Sequence, residues 1–208
     1  MGFLGSEHIA VSHTRHSIRS LAALFLLSTL LHLDARAADG FKMFTQPLLI
    51  SSERGEVTSY VVMTGTKPYS FLPPPRWNIS VSAAEKTVTF LSEDFTASIV
   101  IRFIPGITKT SEDLRSDSAR AEVAARYADS KIEQDFICHT SGAEGVAFDL
   151  ERRAEGRPSV SIRLATVLFD DSIVDFTLTT ETKRFAKFHW TLGNLLTSFR
   201  IDPGLRLR

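Results

Sequence analysis

The chain has 208 residues, with 24 basic and 24 acidic side chains and no net charge. That balance excludes a bulk field that would gather nucleic acid or an anionic membrane surface. Its single cysteine, Cys138, excludes an intramolecular disulfide, so stability has to come from a packed core.

The first element in chain order is a leader. Arg15 and Arg19 precede the apolar run Leu21–Leu33, and Ala35-Arg36-Ala37 then supplies the small-x-small pattern that a signal peptidase accepts. A spanning helix needs about 20 apolar residues, and this run is shorter. The reading is a signal peptide over residues 1–37, with an uncleaved anchor as the alternative. It implies export to the periplasm or the extracellular space, with no stable membrane insertion after cleavage. Residues 38–208 then form a single domain, long enough to bury about 70% of the surface of its unfolded chain.

Beyond the leader, "FKMFTQPLLISS" is apolar without a clear period and receives no assignment. "EVTSYVVMTG", Glu56 to Gly65, is rich in β-branched residues and ends in glycine, which predicts a strand. "YSFLPPPRWNISVS", Tyr69 to Ser82, starts and ends like a strand but carries Pro73, Pro74 and Pro75 between. Proline lacks the ladder N–H and holds the residue before it extended, so these three predict a rigid corner that ends one strand and launches the next. Trp77 follows directly and is expected to bury its ring as an anchor. In Trp77, Ile79 and Val81 apolar residues alternate with polar ones, the period of a half-buried strand. Thr87–Leu91 and Ala97–Ile104 form a predicted hairpin around Ser92-Glu93-Asp94.

The period changes after Pro105-Gly106. A helix is predicted from Ser111 to Ile132, with Ser111 as N-cap, Glu112 and Asp113 in its first turn, and an apolar face of Leu114, Ala121, Ala124, Ala128 and Ile132. "QDFICHT", "EGVAFDLERR", "SVSIRLATVLF" and "SIVDFTLTT" follow as strands, and the last three form a meander with turns at Glu155–Pro158 and Asp170-Asp171. The closing helix, Lys183 to Thr197, has an apolar stripe at Phe185, Phe188, Leu192, Leu195 and Phe199. Strands, helix, strands, helix is not the strict alternation of a parallel doubly wound sheet. The predicted class is α+β, an antiparallel β-sheet flanked by helices in an α/β/α sandwich.

The proline-proline-x-tryptophan corner between strands, the hairpin ending in "TASIVIRF", the helix after it, the meander and the closing "LGNLLTSFRID" together resemble PsbP-like domains, grouped with the Mog-type Ran-binding proteins. The resemblance covers about Tyr69 to Asp202. It implies a central antiparallel sheet sandwiched by helices. Members of that group act by docking onto larger partners, so it also implies a protein partner.

Candidate chemistry is sparse. Of six histidines, only His139 and His189 lie beyond the leader, so a zinc ligand set is not expected and no cofactor is assigned. Cys138 and His139 are strand neighbours that point to opposite faces and cannot pair. Cys138 with His189 remains open as a thiol–imidazole pair, although strand-like surroundings favour a buried, inert thiol. Asp170, Asp171 and Asp175 lack the further oxygen ligands that a calcium loop supplies. No nucleophile elbow, phosphate loop or dinucleotide fingerprint occurs. Arg152, Arg153 and Arg157 at a hairpin tip, together with Trp77, are the candidate contacts to a protein partner. The expected function is an exported, non-catalytic domain that binds a protein or assists assembly in the cell envelope. The alternative is a small-ligand or metal carrier with a pocket between sheet and helices.

Overall fold

Runs of β-branched and aromatic residues separated by turn residues hold just over half of the described residues in strands. The structure is a computed structural model that describes residues 40–51 and 55–202; the signal peptide expected over residues 1–37 lies outside the described residues. Two antiparallel sheets form. One has four strands in the order β1 (Phe41–Ser51), β2 (Gly55–Thr64), β3 (Lys67–Phe71) and β11 (Arg200–Ile201). The other has seven, in the order β4 (Asn78–Ser82), β5 (Thr87–Leu91), β6 (Ala97–Pro105), β10 (Ser172–Glu181), β9 (Val160–Phe169), β8 (Glu144–Arg152) and β7 (Ser130–His139). Helices α1 (Ser111–Arg115) and α2 (Asp117–Arg126) pack on one face of the larger sheet. Helix α3 (Phe185–Ser198) and the four-stranded sheet pack on the other. The class is the expected one, α+β with an antiparallel sheet flanked by helices. The expectation of one sheet is corrected to two.

The three prolines account for the second sheet. β3 ends at Phe71 and β4 starts at Asn78, and the residues between them form no ladder. The corner is where the chain leaves the four-stranded sheet and enters the seven-stranded one, so its rigidity separates two ladders that would otherwise compete for one register. The segment left without assignment, Phe41–Ser51, is β1, and it pairs along its length with β2.

The long helix predicted from Ser111 to Ile132 is not one helix. Ser116 is extended, with ψ 158°, and its hydroxyl accepts from the Ala119 amide to cap α2. The cap of α1 is Thr110 and not Ser111: its hydroxyl accepts from the Asp113 amide, while the Asp113 carboxylate accepts from the Thr110 amide. The break rephases the apolar face. Leu114, Ala119 and Val123 are buried, whereas Ala121, Ala124 and Ala128 are exposed, and Ile132 belongs to β7. A serine that can cap a new turn outcompetes continuation of the helix, which favours an interior without such a local partner.

Phe199 sits at the centre of the larger core. Its ring centroid lies 4.9 Å from that of Phe176, 5.6 Å from those of Phe71 and Phe169, 5.7 Å from Tyr69 and 6.2 Å from Phe103. Tyr69 is fully buried, and its hydroxyl lies 2.7 Å from that of Ser172. Ser172 donates to the Phe169 carbonyl, which leaves its oxygen to accept from Tyr69. Replacing Phe199→Ala should lower unfolding free energy by about 3–5 kcal/mol in denaturant titration, the range for emptying a packed aromatic site. A loss below about 1 kcal/mol would mean that the two sheets do not depend on this ring.

Candidate functional site

Register brings the sequence-derived candidates to one end of the seven-stranded sheet. Asn78 pairs with Leu91, Leu91 with Ser98, Ser98 with Thr179, Thr179 with Ile162, Ile162 with Leu150, and Leu150 with Ile132. Beyond this row, at the same end, lie the proline corner with Trp77, the β5–β6 turn, the β8–β9 turn with Arg153 and Arg157, and the entry into α3. Trp77 and the arginine tip, far apart in sequence, thus share one end of the sheet.

Trp77 is half-buried and packs against the core, where its ring meets that of Phe188 of α3 edge-on at 5.7 Å. Val81 in β4 is exposed against expectation, because β4 is an edge strand with a neighbour on one side only. Trp77 helps line a hollow of about 350 Å³ with Arg76, Asp94, Lys187 and Thr191. Arg152 is 3.3 Å from Asp129 and Arg153 is 2.7 Å from Glu151, so both guanidinium groups are partnered. Arg76, Arg157 and Lys187 have no ion pair among the described residues.

The β5–β6 turn is built by its own side chains. Ser92 Oγ accepts from the Thr96 and Ala97 amides, and Asp94 Oδ1 accepts from the hydroxyls of Thr96 at 2.7 Å and Ser92 at 2.8 Å. Hydrogen bonds from Thr96, then Ser92, hold the Asp94 carboxyl well below the usual carboxylate range. Arg184, at the entry to α3, binds Asp94 at 3.0 Å and ties turn to helix. The turn forces Phe95 to φ 54°, left-handed backbone that costs a residue with a Cβ roughly 1–2 kcal/mol. The Phe95 side chain is also 71% exposed.

Trp190 is the other conspicuous side chain. Phe188, Leu192, Leu195, Leu196 and Phe199 face the core, and Trp190, two residues past Phe188, points away from them and is 69% exposed. Phe95 and Trp190 are the most exposed large apolar side chains among the described residues. Neither was singled out from the sequence. The stripe of α3 contained the signal for Trp190, since a position about 200° around a helix from the stripe must face solvent. Nothing in the sequence marked the left-handed backbone at Phe95.

The chemistry candidates do not assemble. Cys138 is 6% exposed, and burial pushes its thiol up to about 11, the opposite of an activated nucleophile. His139 is exposed at the edge and lies 3.9 Å from Glu144. His189 lies over Phe185, with Nδ1 3.4 Å from that residue's carbonyl oxygen. Nothing in these contacts joins either imidazole to Cys138. Arg163, which faces the same core as Cys138, donates two bonds to Asp149 at 2.6 and 2.7 Å and lies between the rings of Phe136 and Phe185. Of the three aspartates considered for calcium, Asp170 and Asp171 pair with Lys67 and Asp175 pairs with Arg126. No group of three His, Cys, Asp or Glu side chains gathers as a metal site among the described residues, and no described helix is long and apolar enough to cross a membrane.

No protein-family model matches the chain, and no curated protein matches it. Among solved structures it is similar to cyanobacterial PsbP from Synechocystis, at 12% identity over 78% of this chain and 93% of that one, with a TM-score of 0.48. It is also similar to the Ran-binding protein Mog1p of Saccharomyces cerevisiae, at 12% identity over 77% of this chain and 96% of that one, with a TM-score of 0.45. A Pseudomonas aeruginosa protein of unknown function is a further neighbour, at 14% identity over 80% and 97% of the two chains, with a TM-score of 0.40. Both groups named from the sequence thus recur among the similar structures.

Because the folded Asp94 carboxyl titrates below its unfolded value, its contribution is complete above about pH 4 and fades as pH falls further. The melting temperature of the native protein should therefore drop more steeply with acid than that of Asp94→Asn. Parallel acid limbs in a pH series of thermal melts would exclude Asp94 as the anchor of the turn. Cys138 should resist a thiol reagent in the native state and react on denaturation, as followed by mass spectrometry. Rapid native labelling would contradict its burial.

Proposed function

We propose that this protein is an exported, non-catalytic domain that binds another protein through the turn end of its seven-stranded sheet. The observation that carries the reading is the pair Phe95 and Trp190. The turn requires left-handed backbone at position 95, where glycine would fit without strain. A large aromatic ring placed there and held in water adds strain and exposure that the turn does not need, and such outliers gather at functional surfaces. Tryptophan and arginine are the side chains that most often dominate protein interfaces, and aromatic anchors supply area at little entropic cost.

The charges at this end refine the partner. Arg76, Arg157 and Lys187, without ion pairs among the described residues, favour a partner that sets carboxylates around an apolar recess for Phe95 or Trp190. Trp77 supports the surface from beneath by packing on Phe188. Arg152 and Arg153, each partnered within the chain, serve as rim charges. The buried Cys138 thiol supports a non-catalytic role, and the pattern over residues 1–37 supports export.

The test is crosslinking capture from the host's envelope fraction, with the protein as bait and the captured species quantified by mass spectrometry. A stoichiometric partner is expected, and Trp190→Ala should weaken its binding by about tenfold or more. Phe95→Gly should also weaken binding while leaving the melting temperature unchanged or higher, since glycine adopts the turn's backbone without strain. Arg157→Glu should chiefly slow association and reduce its salt dependence. A partner bound equally well by all three variants would overturn the assignment of this surface.

A further inference from the structure

A second feature lies on the opposite, helix-covered face of the sheet. Beneath α1 and α2 the protein has a cavity of about 220 Å³, open at one side. Its walls are Leu114 and Val123 from the helices and Val146, Phe148, Leu164 and Ile173 from the sheet. The space follows from the helix layer. After the break at Ser116, α2 turns only Ala119 and Val123 inward, and although Val123 packs against the apolar side chains of β8, β9 and β10, two such short side chains fill only part of the space above them.

The polar groups of the wall are already paired. Lys109 lies 2.9 Å from Glu122, and Arg126 lies 2.8 Å from Asp175. Asp175 is buried in the sheet, and Thr166 donates to its other oxygen at 2.8 Å. The Lys109–Glu122 pair sits at the exposed rim, whereas the Asp175 carboxylate is buried. An anionic ligand would be brought against that carboxylate in an apolar site, and a cation would have to compete with Arg126 for it. Asp175 still has acceptor capacity, because Thr166 and Arg126 occupy two of the about four lone-pair positions of a carboxylate. A dry apolar cavity of about 150 Å³ is enough to take benzene. The volume here suits one or two fused rings.

We infer that this cavity binds a neutral, largely aromatic small molecule of one or two rings that carries one hydrogen-bond donor, with the donor directed to Asp175. This goes beyond partner binding at the turn end, and it involves none of the residues assigned to that surface. The carboxylate fixes orientation, and the aliphatic walls supply affinity through burial.

Indole is the probe, titrated into the purified protein with ¹³C-labelled methyl groups and followed by NMR. Saturable shifts are expected in Val123, Val146, Leu164 and Ile173 methyls and not in those of Val61 and Val62 in the four-stranded sheet. 1-Methylindole, which lacks the donor, should bind at least about tenfold more weakly. Indole-3-carboxylate should leave the same methyls unshifted. Val123→Phe, which fills the cavity, should abolish the indole shifts while keeping or raising the melting temperature; Ala119→Leu is a milder filling variant should Val123→Phe not fold. Absence of saturable shifts in the native protein would overturn the inference. So would undiminished shifts in a folded, filled variant, or tighter binding of the carboxylate than of indole.

Discussion

The ring of Phe199 touches aromatic side chains of both sheets, and the course of the chain on either side follows from that placement. Before it, α3 runs over the seven-stranded sheet with Phe188, Leu192 and Leu195 turned inward. After it, Arg200 and Ile201 pair with Ser70 and Tyr69 and close the edge of the four-stranded sheet. One residue thus ends the helix, fills the space between sheets and starts the last strand. Edge-on and stacked ring pairs of this kind add about 0.5–1.5 kcal/mol each beyond the apolar area they bury. With no disulfide to share the task, the aromatic cluster joins the layers.

The consequence for function is rigidity at the turn end. The proline corner, the Ser92–Thr96 turn and the start of α3 are held by Trp77 on Phe188 and by Arg184 on Asp94. Aromatic side chains displayed from such a frame lose little entropy on binding, which is the condition under which a few residues can dominate an interface. The cavity beneath α1 and α2 has a different origin. There a short helix layer with small inward residues covers only part of a broad sheet, and the packing deficit becomes a binding space.

Much of this was legible in the sequence, for reasons that can be stated. The period of α3 and the prolines at 73–75 are strong local signals, because helix spacing and the missing N–H act within a few residues. The alternation of the meander likewise marked β8, β9 and β10. The division into two sheets was not legible, since strand pairing between β3 and β11 joins residues about as distant in the chain as Tyr69 and Ile201. The helix break was hidden because a capping serine and an ordinary helical serine are the same letter until the backbone is seen. Of the site, Trp77 and the arginine tip were visible as residue types, but their convergence at one end required the register of seven strands. Phe95, between the expected turn at Ser92–Asp94 and the strand from Ala97, carried no signal in the sequence, and only its backbone angle and exposure distinguish it.

The most direct measurement places a photocrosslinking amino acid, one position at a time, at Phe95, at Trp190 and at Thr89 on the opposite face of the sheet, in the intact protein within its host. Docking through the turn end should give one and the same adduct from positions 95 and 190 and none from position 89. Adducts from position 89 alone, or none from positions 95 and 190 while the protein remains folded, would contradict it.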